Sequence, residues 1–185
     1  MNFGNVKYCD IANGIGVRTS LFVSGCTHHC PGCFQPETWD FAYGEPFSGK
    51  VANEVLNSLE PGYVDGLTVL GGEPMEPANQ QVLANFLEQV RDRFPNKGIW
   101  MYTGDVYENL IDPHSPRHTD ATDRVLACLD VLVDGPFEQE NKDITLRFRG
   151  SSNQRLIDVP KTRAAGTVVL WEDDPAFASH EMPAR

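Results

Sequence analysis

Cys26, Cys30 and Cys33 fall within one short stretch, Cys26-Thr27-His28-His29-Cys30-Pro31-Gly32-Cys33. Their spacing, Cys-x3-Cys-x2-Cys, supplies three thiolates where a closed tetrahedral zinc site takes four ligands. Three soft ligands and one vacant corner suit an iron–sulfur cluster that holds an outside molecule on its remaining iron. Zinc stays open as the competing reading, with His28 or His29 as fourth ligand. Both histidines lie between Cys26 and Cys30, where the backbone has little freedom to turn a ring onto the same ion. Further along comes Gly71-Gly72-Glu73-Pro74. Two glycines permit close approach to the backbone, and Glu73 offers a carboxylate to a cationic group.

The other thiols and imidazoles read as bystanders. Cys128 belongs to an apolar helical pattern with Val125, Leu126 and Leu129, which makes it a core side chain, and Cys9 is read the same way. His28 and His29 are loop residues beside the cysteines. His114, His118 and His180 are expected in solvent.

The elements that must position these residues follow from periodicity. Thr19–Ser24 is a β-favouring run ending at Gly25, just before the cysteines. Ser48–Leu59 carries Val51, Val55, Leu56 and Leu59 at helical spacing. Gly66–Leu70 is a buried-strand pattern running into the glycine pair. Pro77 opens a helix through Phe94, with Val82, Leu83, Phe86, Leu87 and Val90 on one face. Ile99–Thr103 and Val131–Val133 read as strands, and Asp105–Ile111 and Asp120–Leu129 as helices. The stretch Asp112–His118, with two prolines, is a loop. Alternating strands and helices predict an α/β fold with a mostly parallel sheet. In such sheets the working residues collect at the carboxyl ends of strands. The cysteine loop, GGEP, Tyr102-Thr103-Gly104 and Asp134-Gly135-Pro136 all fall there.

Bulk properties exclude several classes. The chain has 185 residues with 41% hydrophobic, enough for one domain with a sizeable core. Lys and Arg number 15 against 26 Asp and Glu, a net charge of −11. That balance argues against nucleic acid and against anionic membrane surfaces as partners. Five cysteines with three clustered make a poor disulfide framework, and thiols kept free for metal need a reducing compartment. Neither a secretory signal nor a membrane-length apolar run is evident. The expectation is a cytoplasmic chain with a core domain over residues 1–165 and a looser extension over 166–185, where Glu172–Arg185 is polar.

Cys-x3-Cys-x2-Cys followed by GGEP resembles the radical S-adenosylmethionine (SAM) superfamily. Asp10-Ile11-Ala12-Asn13-Gly14-Ile15-Gly16-Val17-Arg18 before the first strand is similar to the glycyl-radical activating enzymes. Phe22-Val23-Ser24-Gly25-Cys26, Cys30-Pro31-Gly32-Cys33-Phe34-Gln35, Thr38-Trp39, Tyr102-Thr103-Gly104, Val133–Phe137 and Arg147–Arg155 are similar to their smaller members. The likeness spans residues 3–160, nearly the whole chain. It implies a partial (β/α) barrel, a 4Fe-4S cluster held by Cys26, Cys30 and Cys33, and SAM on the fourth iron. It further implies that Gly32, Cys33 and Phe34 line the cluster and the adenine, and that Gly72 and Glu73 lie along the methionyl part. The implied activity is reductive cleavage of SAM to a 5′-deoxyadenosyl radical, which takes hydrogen from a glycine of a partner. The implied partners are a glycyl-radical protein, anaerobic ribonucleoside-triphosphate reductase, and a low-potential electron donor such as flavodoxin. Alternatives within the resemblance are an activase of pyruvate formate-lyase and a radical SAM enzyme acting on a small, deazapurine-like molecule. One position departs from the family: Asp105 follows Tyr102-Thr103-Gly104 where an aromatic residue is usual. The resemblance leaves Arg18 and Arg147–Arg155 without assigned roles.

Overall fold

The computed structural model describes residues 1–173. The chain enters as β1 (Asn2–Asp10) and returns antiparallel as β2 (Arg18–Val23). An excursion carries the three cysteines and a short strand, β3 (Glu45–Pro46), that pairs back on β1. Then follow α1 (Gly49–Ser58), β4 (Gly66–Gly71), α2 (Pro77–Arg93) and β5 (Gly98–Tyr102). Helices α3 (Tyr107–Ile111) and α4 (Thr122–Ala127) lead into β6 (Val131–Asp134), and β7 (Arg155–Asp158) and α5 (Val159–Ala165) follow. The sheet has seven strands in the order β3-β1-β2-β4-β5-β6-β7. Its centre, β2-β4-β5-β6, is parallel, and the flanking pairs are antiparallel. The α/β class and the parallel centre are as expected.

Central strands of a parallel sheet are covered on both faces, so they read as continuous apolar runs rather than alternating ones. Leu67, Val69, Ile99, Met101, Leu132 and Val133 are fully buried accordingly. Helix α2 lays Leu83, Phe86, Leu87 and Val90 into the core, and Val82 is only half-buried at the margin of that stripe. Helix α1 contributes Val55 and Leu56 and is capped by the Ser48 hydroxyl, which accepts from the Val51 N–H.

Strands β1 and β7 and helix α5 were not legible as elements. Among the described residues, the part of the chain after residue 165 continues along the sheet. Val169 and Leu156 carbonyls accept from the Asp158 and Trp171 N–H groups, and the Trp171 ring meets Trp100 edge-on at 5.2 Å. Of the stretch Glu172–Arg185, only Glu172 and Asp173 fall within the described residues.

The sheet end opposite the cysteines is tied by Arg18, which is 2% exposed. Its Nε donates to Thr68 Oγ1 at 2.7 Å, and its Nη2 donates to the carbonyls of Leu67 (2.7 Å) and Gly98 (2.8 Å). Nη1 reaches the Ile15 carbonyl at 3.1 Å, and the guanidinium lies over Trp100. One side chain thus joins the beginnings of β2, β4 and β5 to the turn before them. Burial pushes its pKa down to about 10, which still leaves it charged at neutral pH.

Candidate iron–sulfur site

The carboxyl ends of β2 and β4 are fused before any ligand is considered. The Gly72 N–H donates to the Val23 carbonyl and the Glu73 N–H to the Gly25 carbonyl, both at 2.8 Å. A Cβ on Gly72 would stand 2.7 Å from the Gly25 oxygen and 2.8 Å from the Thr38 oxygen. The close approach that this glycine permits is therefore made first by the chain itself. Gly25 and Cys26 N–H groups donate to the carbonyls of Thr38 and Trp39, which closes the cysteine excursion at its base.

A cavity of about 460 Å³ opens over these strand ends, within the ~300–1,000 Å³ usual for small-molecule sites. Cys26, Cys30 and Cys33 line it, with Gly32 and Phe34 from the same loop and Gly72 and Glu73 from the end of β4. Thr103 and Gly104 reach it from β5, and Gly135 and Phe137 from β6. All the residues singled out for cluster and ligand therefore face one space. Phe34 stands at its rim, 96% exposed. Cys9 is exposed on β1 and Cys128 is buried at the end of α4; neither lines this cavity.

A single zinc ion at ~2.3 Å from each sulfur would hold the sulfurs about 3.8 Å apart. Among the described residues, the trio with ligand atoms within 4.8 Å of one another is His28, Glu73 and Asp105, not the three cysteines. Three thiolates with no fourth protein ligand beside them suit a cluster in which each thiolate takes its own iron. Burial pushes the Cys26 thiol up to about 11, so metal binding there must displace a proton.

Glu73 is 1% exposed, and its two oxygens are engaged within the protein. Oε1 accepts from the Met75 N–H (2.7 Å) and the Thr103 hydroxyl (2.8 Å), and Oε2 accepts from the Gly104 N–H (2.7 Å). His28 Nε2 lies 3.0 Å from Oε2. A cationic side chain of the protein thus already faces this carboxylate, and Glu73 pins the ends of β4 and β5 to the cysteine loop. Glu73→Ala is expected to destabilise the fold by about 2–4 kcal/mol, because four donors, two of them in buried bonds, lose their acceptor. Denaturant unfolding checks this, and an unchanged midpoint would overturn it.

His28 is more than a loop residue beside the cysteines. Asp105 and Glu73 flank its ring and raise its pKa to about 10, which makes it an imidazolium at neutral pH. Asp105 Oδ2 lies 3.3 Å from His28 Nε2 and 3.1 Å from Arg117 Nε, charge contacts without hydrogen-bond alignment. Glu76 completes the group beneath the loop. No spacing rule joins residues so far apart in sequence. Asp134, of the string at the end of β6, is fully buried and structural. It accepts from the Tyr107 N–H and from Arg155, holding α3 and β7 in place.

Known proteins resemble this chain along most of its length. The model of the 4Fe-4S single cluster domain matches residues 12–157. An anaerobic ribonucleoside-triphosphate reductase-activating protein of Pasteurella multocida (strain Pm70) is 40% identical over 83% of this chain and 95% of its own length. Proteins of the same name from Enterobacteria phage T4 and Escherichia coli (strain K12) are 36% and 37% identical, over 93% and 96% of their lengths and 84% and 83% of this chain. With three clustered thiols on one cavity and likeness along nearly all of each relative, the chain belongs to the family of anaerobic ribonucleoside-triphosphate reductase-activating proteins.

Proposed function

We propose that this chain is a radical SAM activase of the oxidoreductase class, which makes a glycyl radical on anaerobic ribonucleoside-triphosphate reductase. The observation that carries the reading is the meeting of Cys26, Cys30 and Cys33 with Gly72 and Glu73 around one cavity. The relatives' names supply the partner. The donor set fits the cofactor: three soft ligands line the space, and neither remaining cysteine does. When bound, a 4Fe-4S cluster supplies an open iron to chelate SAM and the electron that breaks its S–C5′ bond, giving methionine and a 5′-deoxyadenosyl radical that takes hydrogen from the glycine.

The protein's own tasks are to bind, orient and exclude. Cys26, Cys30 and Cys33 would hold three irons of the cluster. Gly32 and Phe34 line the adenine side, and Gly72 and Glu73 the methionyl side. The close packing of β2 against β4 fixes the distance between those two walls. The sheet is read as the partial barrel of the radical SAM type, whose open side a large partner covers. Phe34 and Ile144, 96% and 90% exposed at the cavity's rim, are the apolar groups such a cover would remove from water. A low-potential donor such as flavodoxin delivers the electron.

The test combines anaerobically reconstituted protein, a reductant, SAM and the purified reductase. Methionine and 5′-deoxyadenosine are expected in equal amounts, with a glycyl doublet in the electron spin resonance spectrum. A fully loaded, reduced protein that forms no 5′-deoxyadenosine would refute the reading.

A further inference from the structure

The proline-containing loop between α3 and α4 sends one side chain across the fold to the cysteine loop. Arg117 Nη2 donates to Thr27 Oγ1 at 2.9 Å, and its Nη1 lies 2.7 Å from Glu76 Oε2. The other oxygen of Glu76 accepts from both the N–H and the hydroxyl of Thr27, each at 2.7 Å. Arg117, Glu76 and Thr27 therefore close a ring of hydrogen bonds on the residue next to Cys26. Glu76 is 4% exposed, and its carboxyl sits below the usual range: burial works against ionisation, but Thr27 and Arg117 outweigh it. The loop is itself pinned. The side-chain amide of Gln80, fully buried, donates to the Arg117 carbonyl and to the Met75 carbonyl, both at 2.7 Å. Its oxygen accepts from the Thr119 and Thr122 hydroxyls.

Arg117 and Glu76 do not line the cavity, so any effect of theirs on its contents is transmitted through the loop and through their charge. The charge group consists of Glu73, Glu76 and Asp105 against Arg117 and His28, all adjoining the loop. Asp105, the position that departs from the family, is one of the acids that Arg117 contacts. Charges in a poorly solvated region act strongly on a neighbouring redox centre, because added negative charge disfavours acceptance of an electron.

We infer that Arg117 is a positioning residue: through Glu76 and Thr27 it fixes the backbone between Cys26 and Cys30, and its charge raises the reduction potential of the cluster held there. The inference rests on the cluster assignment proposed above and adds to it a determinant outside the cysteine loop and outside the cavity. Lysine keeps the charge without the planar fork, and methionine keeps much of the volume without the charge.

The experiment is spectroelectrochemical titration of the reconstituted full chain, with electron spin resonance of the reduced state. Arg117→Met is expected to shift the midpoint potential downward, and Arg117→Lys to restore most of that shift while keeping an altered spectrum. Glu76→Gln, which retains an acceptor for Thr27 but removes a negative charge, is expected to shift the potential upward. Opposite signs would not arise from a general loss of stability. Potentials equal to wild type in Arg117→Met and Glu76→Gln would overturn the proposal, as would shifts of the same sign. Should Arg117→Met assemble no cluster, the sign in Glu76→Gln decides. A wild-type chain that takes up no iron would refute the cluster assignment itself, an outcome distinct from unchanged potentials in loaded variants.

Discussion

Replacement of Cys26, Cys30 or Cys33 by alanine is expected to yield a colourless chain after anaerobic reconstitution, with no reductive cleavage of SAM. On the proposed ligation, three thiolates on a four-iron cluster leave no spare ligand, and the other cysteines cannot substitute. Cys9 is exposed on β1 and Cys128 is buried at the end of α4, and neither reaches the cavity. The loss would be one of ligation rather than folding. Cysteine and alanine are both small, and the base of the loop is held by the backbone bonds of Gly25 and Cys26 to Thr38 and Trp39. Circular dichroism should therefore be unchanged while visible absorbance and iron content collapse. Cys128→Ser is the internal control and is expected to keep its iron. A Cys30→Ala chain with the full chromophore would remove the assignment, and iron loss in Cys128→Ser would mean that the thiols were sorted wrongly.

The second large effect lies at the opposite end of the sheet. Arg18→Ala is expected to destabilise the fold by about 3–5 kcal/mol, the range for breaking a buried polar network and leaving a cavity. The carbonyls of Leu67 and Gly98 and the Thr68 hydroxyl would lose their bonds to it in a place 2% exposed. For a chain of this size the thermal midpoint should fall by roughly 10 °C. Since Arg18 lies far from the cavity, variants that remain folded at low temperature should still load iron. Equal stability of Arg18→Ala and wild type in urea would show that the clamp is dispensable. The structure thus gives a physical role to a position whose resemblance to the family carried none.

Much of this was legible in the sequence because the controlling interactions are local. Helix α2 announces itself by Pro77 and by Leu83, Phe86, Leu87 and Val90 at helical spacing. Strand β4 is marked by an apolar run stopped by glycines. The cysteines and GGEP stand at strand ends because parallel sheets put loops there. Strand β1, Asn2–Asp10, escaped notice because it is mostly polar and bulged, with irregular register against β2, so its alternation is broken. Strand β7 is short and half-buried, and only its pairing with β6 identifies it. The support of the site was illegible for a different reason. Arg117 lies 90 residues from Thr27 and His28 lies 45 from Glu73, and no local pattern encodes such pairings. Glu73 was found by its motif, but its internal partners were not.

The frame of the cysteine loop also bears on the order of assembly. Thr27 is held by Glu76, 49 residues away, and Gly25 is held by Glu73, so the loop has no fixed shape until α1 has crossed over and β4 has docked beside β2. Loop closure over such a distance is an entropic cost met by apolar burial in the sheet, not by a metal. A loop framed in this way is expected to load iron after folding, in contrast to small zinc domains, where metal binding and folding are one event.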